Sequence, residues 1–271
     1  MNKPSIIRVM EDAALKAGRR LIRDFGEVEK LQVSQKGPGD FVTEADTRTE
    51  KLLIDALSHA RPEFGFLTEE HPERPAAAGC AYRWVIDPID GTTNFLHGIP
   101  FFCISIGLEK QLPGGGSEIE AALIFAPVSN ELFWAHKGGG AYLNDTRLLV
   151  SSRDKLQLAT VGTGGLGVSR KDREKTLEAT RVISAEVSAV RSLGSAALEL
   201  AYVAAGRLEA YWHVAMQPWD IAAGILLVRE ARGMVTEIGG GSEMLRTGSL
   251  LASNSHLHNV LDKALHKIYK K

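Results

Sequence analysis

Asp87-Pro88-Ile89-Asp90-Gly91-Thr92-Thr93-Asn94 sets two carboxylates three positions apart, behind the apolar run Tyr82–Ile86 and ahead of a glycine. Carboxylates so placed are hard oxygen donors of the kind that bind Mg²⁺, and bridging carboxylates hold two such ions about 3.5–4 Å apart. Pro88 restricts the backbone between the acids, and the Ile89 carbonyl offers one more oxygen. Gly91 permits a tight turn, after which N–H groups are free to face a phosphate. An isolated Asp-Gly-Thr is common in surface turns. The full eight-residue string behind a strand favours metal chemistry instead.

Three further acidic segments are candidates to join it. Pro218-Trp219-Asp220 opens an apolar helical run and puts Asp220 in the first turn, where it either completes a metal cluster or serves as a dipole-favourable cap. Thr68-Glu69-Glu70 follows the short apolar run Phe64–Leu67 and, taken alone, reads as a solvated charged pair. In Thr43-Glu44-Ala45-Asp46, Asp46 stands where a helix cap is expected.

The elements that must hold these residues are partly legible. Apolar residues at Ile6, Ile7, Met10, Ala14, Leu21, Ile22 and Phe25 indicate an amphipathic helix ending at Gly26. Ser34–Asp40 has turn chemistry and reads as a mobile loop, followed by a helix with Leu52, Leu53, Ala56 and Leu57 on one face. The strand from Tyr82 is expected to end in Asp87. Strands are also expected over 101–108 and over 119–125, the latter paired with 131–135 through a turn at 127–130, with a loop at 138–140. Beyond residue 150 strands at 158–163, 187–191, 208–212 and 249–253 alternate with helices at 170–184, 195–205, 219–231 and 256–269, a layered α/β pattern. The half before about 150 is more mixed and antiparallel, and the two halves, 1–150 and 151–271, are expected to pack as one unit.

Composition narrows the function. A net charge of −1 supplies no basic field for nucleic acid, so a phosphate would have to be neutralised locally. The two cysteines, Cys80 and Cys103, permit neither a disulfide framework nor a CxxC zinc pattern, which suits a reducing cytoplasm. No signal peptide and no membrane-spanning run of about 20 apolar residues is evident. His59, His71, His136 and His266 are scattered without ligand spacing and read as surface residues.

D-P-I-D-G-T-T-N-F-x-H-G at 87–98 together with P-W-D-I-A-A-G at 218–224 resembles the inositol monophosphatase family. Lys36 in a Gly-Pro loop, V-T-E-A-D at 42–46, E-E at 69–70 and G-S-A-A-L-E at 194–199 agree with it, in order along nearly the whole chain. The haloacid-dehalogenase phosphatases are excluded, because their Asp-x-Asp-Gly-Thr has one residue between the acids and this chain has two.

The resemblance implies an α/β (α+β) fold, a layered α-β-α-β-α sandwich of the sugar-phosphatase type. It implies two to three Mg²⁺ ions: one held by Glu69, Asp87 and the Ile89 carbonyl, a second by Asp87, Asp90 and Asp220, and a weaker third near Glu69. The nucleophile would be water placed by Glu69 and Thr92, with Asp46 orienting that threonine and Lys36 in a loop closing over the metals. N–H groups of Gly91, Thr92 and Thr93 would meet the phosphoryl oxygens. Gly194, Ser195 and Ala196 resemble the segment that contacts the substrate alcohol, although Ser195 also suits a helix N-cap. His97 belongs to the motif as supporting structure.

One departure bears on substrate. Seven residues before Asp220, inositol-specific members carry a glutamate, and this chain has His213. Histidine donates as well as accepts, so selectivity among polyol phosphates is expected to shift; a position exposed at the pocket rim is the alternative. The main expectation is hydrolysis of inositol 1-phosphate. Histidinol phosphate, fructose 1,6-bisphosphate and 3′-phosphoadenosine 5′-phosphate are runners-up, and bacterial members also resemble extragenic-suppressor proteins that bind the transcription machinery. A homodimer, inhibition by Li⁺ and no direct nucleic-acid contact complete what the resemblance implies.

Overall fold

Ile7, Met10, Ala14, Ala17 and Leu21 recur at helical spacing near the N-terminus and are all fully buried. They belong to α1 (Ser5–Phe25), which ends against Gly26 as expected. The computed structural model describes residues 3–27, 33–37, 40–164 and 169–270, with backbone alone for 33–37, 40–42 and 170.

After α1 come β1 (Val33–Gly37), β2 (Asp40–Thr43), α2 (Glu44–Ala60), β3 (Gly65–Thr68), β4 (Tyr82–Asp90), α3 (Thr92–Leu96) and β5 (Cys103–Gln111). The chain continues with β6 (Ser117–Ala126), β7 (Glu131–His136), β8 (Gly140–Leu143), β9 (Thr146–Arg147), β10 (Thr160–Thr163), α4 (Arg170–Ser184) and β11 (Ala189–Arg191). It closes with α5 (Ala196–Ala204), β12 (Ala210–His213), α6 (Pro218–Glu230), β13 (Met234–Thr236), α7 (Met244–Thr247), β14 (Leu250–Ser253) and α8 (His258–Tyr269).

β3 to β9 form a seven-stranded sheet in sequence order, antiparallel except for the parallel β3–β4 pair. A second sheet runs β11-β10-β12-β14-β13, with β10 parallel to both β11 and β12. Side-chain alternation sorts these sheets into layers. On β6, Ala121, Leu123 and Phe125 pack with α1 and α2, whereas Ala122, Ile124 and Ala126 pack with α5 and α6. On β12, Tyr211 faces α5 and α6, while Ala210 and Trp212 face α4 and α8. The order is therefore helix, sheet, helix, sheet, helix, the expected sandwich.

The middle helices are buried nearly all round. Ile221 to Val228 of α6 are all buried, so no polar stripe is left on it. A Cβ on Gly224 would run into Leu200 Cδ1 and lie 2.6 Å from Leu200 Cβ, so glycine is what lets α5 and α6 approach.

Several local expectations are corrected. Residues 33–37 and 40–43 are not a loop but an antiparallel pair, with Val33 opposite Thr43 and Gln35 opposite Phe41. Val33, Phe41, Val42 and Thr43 are β-forming residues and outweigh the turn chemistry around them. β4 does not stop at Asp87 but pairs with β5 as far as Asp90. β13, α7, β8 and β9 are too short to leave a periodic signal, and none was expected.

Candidate active site

The two acids of the central motif sit on an irregularity of β4. Asp87 pairs with Ser105 and Asp90 with Cys103, so three steps on β4 match two on β5. Pro88 has no N–H to give to the ladder, which is consistent with pairing breaking there. Asp87 Oδ1 accepts the Ile89 N–H at 2.9 Å. Both acids are buried, Asp87 at 2% exposure and Asp90 at 9%.

Gly91 follows with φ +102° and begins α3. A Cβ there would lie 3.1 Å from Phe101 O and 3.2 Å from Gly194 O, so the turn requires glycine twice over. Thr92 stands at the first position of α3. Its Oγ1 donates to Ile89 O at 3.0 Å or to Asp46 Oδ1 at 3.3 Å. Asp46 is fixed in turn by a capping box, its Oδ2 accepting the Thr43 N–H at 2.7 Å and the Thr43 hydroxyl at 2.6 Å. Burial pushes the Asp46 carboxyl up to about 6, against those two hydrogen bonds.

Asp90 reaches across the molecule to the start of α5. Its Oδ2 accepts the Ser195 hydroxyl at 2.6 Å and the Ala197 N–H at 2.7 Å, and its Oδ1 accepts the Ala196 N–H at 3.3 Å. Ser195, 1% exposed, is thus committed to Asp90 and to capping Leu198 N–H. Asp220 Oδ2 accepts the Gln217 N–H at 2.8 Å as the third residue of α6. Glu69 lies just past the end of β3, partly buried.

These carboxylates act on one another. The Asp87 carboxyl is pushed well above its usual range, first by burial and then by Glu69, Asp90, Asp220 and Asp46. Asp90 is raised by burial, against the donors at the start of α5. Mutually repelling buried acids with no Lys or Arg salt bridge to Asp87 or Asp90 among the described residues are a donor set that suits a divalent cation. Among the described residues no three His, Cys, Asp or Glu side chains already converge on one ion position. Asp87, Asp90 and Asp220 are instead each turned onto protein N–H or O–H donors.

Beside the acids lies a cavity of about 310 Å³ lined by Asp90, Gly164, Ser192, Gly194, Ser195, Ala196, Glu199, Tyr211, His213 and Asp220. A larger groove of about 550 Å³ runs along α1 and gathers no such acids. His213 is half-buried, not exposed at a rim, and its Nδ1 lies 3.0 Å from the Tyr211 hydroxyl. Burial keeps Tyr211 protonated and pulls the His213 imidazole down to about 4. The neutral ring and the Tyr211 hydroxyl share this contact, with donor and acceptor set by the tautomer, and the hydroxyl also reaches Met216 Sδ at 3.9 Å. Glu199 is 1% exposed and pushed up to about 8, chiefly by burial. Its Oε1 accepts the N–H groups of Leu193 at 3.0 Å and Gly194 at 3.3 Å.

The sequence-predicted acids Asp46, Glu69, Asp87, Asp90 and Asp220 are thus brought together, with Thr92 and the Ile89 carbonyl beside Asp46. Gly194, Ser195, Ala196 and His213 share the adjoining cavity. Gly91 and half-buried Thr92 are at the start of α3, where Thr93 is exposed. Lys36 lies in β1, and its side chain is outside the described residues. Sequence reasoning missed the roles of Asn94, Glu50, Glu199 and Cys103. Asn94 Nδ2 donates to Phe101 O and to Leu193 O, each at 2.7 Å. The Cys103 Sγ rests 3.8 Å from Asp90 Oδ2 and 3.6 Å from Ser195 Oγ. His71, expected as a bare surface residue, is exposed but bonds to buried Glu50.

Residues 2–270 match the description of the inositol monophosphatase family. An inositol-1-monophosphatase of Mesorhizobium japonicum is 49% identical over 269 residues, 98% of each chain. A Nus factor SuhB of Pseudomonas aeruginosa is 38% identical over 252 residues, 92% of this chain and 91% of that one. The crystal structure of the extragenic suppressor protein SuhB from Bartonella henselae superposes with a TM-score of 0.92 at 48% identity, covering 97% of this chain and 99% of that one. Motif order, layered fold and these likenesses agree, and the chain belongs to the inositol monophosphatase family.

Proposed function

We propose that the chain hydrolyses small phosphate monoesters, with inositol 1-phosphate as its leading substrate and Mg²⁺ as the metal. The observation that carries this reading is the gathering of Glu69, Asp90, Asp220 and Asp46 around buried Asp87, next to a cavity sized for a small polyol. The family is metal-dependent, and the ligand sets proposed are Glu69, Asp87 and Ile89 O for one ion, and Asp87, Asp90 and Asp220 for a second. When bound, such ions cancel the charge of the phosphate, lower the pKa of water and stabilise the leaving alkoxide.

The residues of the chain then have separable tasks. Thr92 Oγ1 donates a hydrogen bond to Asp46 or Ile89 O and keeps lone pairs to accept a hydrogen bond from the attacking water. Glu69 is the second acceptor for that water. N–H groups at Gly91, Thr92 and Thr93 face the phosphoryl oxygens, since the first turn of any helix leaves N–H groups without partners inside it. In the cavity, the neutral His213 imidazole stands where a glutamate would be a charged acceptor. A substrate that used that acceptor loses about 1.5–3 kcal/mol, so glycerol and other polyol phosphates are expected to compete with inositol 1-phosphate more closely.

The test is phosphate release from inositol 1-phosphate, glycerol 2-phosphate, histidinol phosphate, fructose 1,6-bisphosphate and 3′-phosphoadenosine 5′-phosphate, with Mg²⁺ and with chelator. Mg²⁺-dependent turnover led by inositol 1-phosphate supports the reading; no turnover on any of the five overturns it.

A second reading is motivated by the relatives named Nus factor SuhB, 38% identical in Pseudomonas aeruginosa: contact with the transcription machinery, separable from hydrolysis. A cytoplasmic homodimer inhibited by Li⁺ goes with both. Among the described residues no helix is long and apolar enough to cross a membrane.

A further inference from the structure

Glu50 lies in α2, one helical turn after Asp46, and both are 0% exposed. Positions four apart share a helix face. Asp46 meets Thr92 of α3. Glu50 faces the end of β3 and the residues after it, and its contacts there flank Glu69. Glu50 Oε1 accepts the Thr68 hydroxyl at 2.9 Å and pairs with His71 Nδ1 at 2.5 Å, while Oε2 accepts the Glu70 N–H at 2.9 Å. Residues 68, 70 and 71 are thus tied to one carboxylate, and the residue between them is Glu69.

We infer that Glu50 is a positioning residue: it ties down the Thr68 side chain before Glu69 and the Glu70 N–H and His71 ring after it, and thereby sets how tightly the site holds a divalent cation. This rests on Glu69 being a metal ligand, as proposed above. Three donors converge on Glu50, and only an acceptor-only group satisfies all three. An amide in its place must turn an N–H toward either the Glu70 N–H or the Thr68 and His71 donors. Because Asp46 and Glu50 project from one rigid helix, α2 also sets the spacing between Thr92 and Glu69, the two groups proposed to place the attacking water. Groups that orient metal ligands in this way typically change metal affinity 10–100-fold when altered.

The experiment is direct Mn²⁺ binding, read as loss of the free-ion spin-resonance signal, on wild type, Glu50→Gln, His71→Ala, Leu53→Ala and Glu69→Gln, with thermal unfolding in chelator alongside. Glu50→Gln is expected to weaken Mn²⁺ binding by about tenfold or more, and His71→Ala, which removes a single donor at an exposed side chain, by a smaller factor in the same direction. Leu53→Ala empties a buried site on the same helix, and is expected to lower the unfolding temperature with Mn²⁺ affinity unchanged. Unchanged affinity in Glu50→Gln overturns the inference. So does equal loss of affinity in Leu53→Ala, which would mark the effect as general loosening of α2. If Glu50→Gln fails to fold, His71→Ala with unchanged affinity overturns it. Unchanged binding in Glu69→Gln would instead sink the ligand reading on which the inference stands.

Discussion

Asn94 and Leu193 are 99 residues apart in the chain, and the Asn94 amide donates to the Leu193 carbonyl at 2.7 Å. The same amide donates to Phe101 O at 2.7 Å. One buried side chain therefore joins the turn after β4 to the segment before α5. Asn94→Asp keeps the shape and replaces two donors by lone pairs facing two carbonyls. Leaving such groups unpaired costs about 1–3 kcal/mol, so urea unfolding should show a loss of that order together with reduced turnover. Unaltered stability would mean that the two segments are held by other contacts.

Asp87→Asn tests the charge cluster. The Asp87 carboxyl is raised by burial and by Glu69, Asp90, Asp220 and Asp46, so its ionised form opposes folding when no cation is present. An acid whose folded pKa lies above its unfolded value destabilises once pH exceeds that unfolded value. In chelator at neutral pH the variant should melt higher than wild type, should gain little from Mg²⁺, and should be inactive. Any transcription-related binding that survives in it would separate the two proposed roles.

Glu199 supplies a pH signature. Its ordinary pKa is 4.5 and its folded value is about 8. Between those values the folded protein binds the extra proton, so this residue lowers stability as pH rises, by up to about 1.4 kcal/mol per pH unit. Glu199→Gln keeps an oxygen for the Leu193 and Gly194 N–H groups and removes the titration. The stability difference between variant and wild type should grow in favour of the variant from pH 5 to pH 8. A difference that is flat across that range would show that Glu199 is ionised in the folded protein.

His213→Glu should move preference toward inositol 1-phosphate over glycerol 2-phosphate, by about tenfold in kcat/KM if the glutamate gains a charge-assisted hydrogen bond from a ring hydroxyl. An unchanged ranking over the five-substrate panel would remove residue 213 from the determinants of selectivity.

Gly224→Ala sets helix propensity against packing. Alanine gains about 1 kcal/mol in a helix, but the new methyl would sit 2.6 Å from Leu200 Cβ, which cannot swing aside. Overpacking costs about 1–3 kcal/mol, so the variant should be less stable than wild type in urea unfolding. A variant more stable than wild type would show that α5 and α6 shift apart freely.

What was legible in the sequence was local. The turn at Gly91, the proline-led start of α6, the cap at Ser195 and the alternation beyond residue 150 all rest on neighbours in the chain. Non-local pairing was not readable. The register of β1 on β2 and the run of β4 past Asp87 are decided by a partner strand. Ser195 was read as a cap and as a substrate contact, and it is the reach of Asp90, 105 residues away in the chain, that turns its hydroxyl inward. Glu50 and His71 looked ordinary because nothing in their own segments announces that they meet.

The burial of α6 against both sheets has a consequence for synthesis on the ribosome. The face of the seven-stranded sheet that includes Ala122, Ile124, Phe133 and Ala135 is covered by α5 and α6, which emerge only after every strand of that sheet has been made. A growing chain that has reached Arg191 has no native cover for that face, and exposed apolar sheet of this kind is prone to aggregate or to engage chaperones. A fragment ending at Arg191 is accordingly expected to sediment as aggregate or as a chaperone complex; a monodisperse, folded fragment would show that other segments shield the face. Slow translation between Arg191 and Glu230 would prolong this exposure, whereas slow translation after Glu230 would leave that face covered.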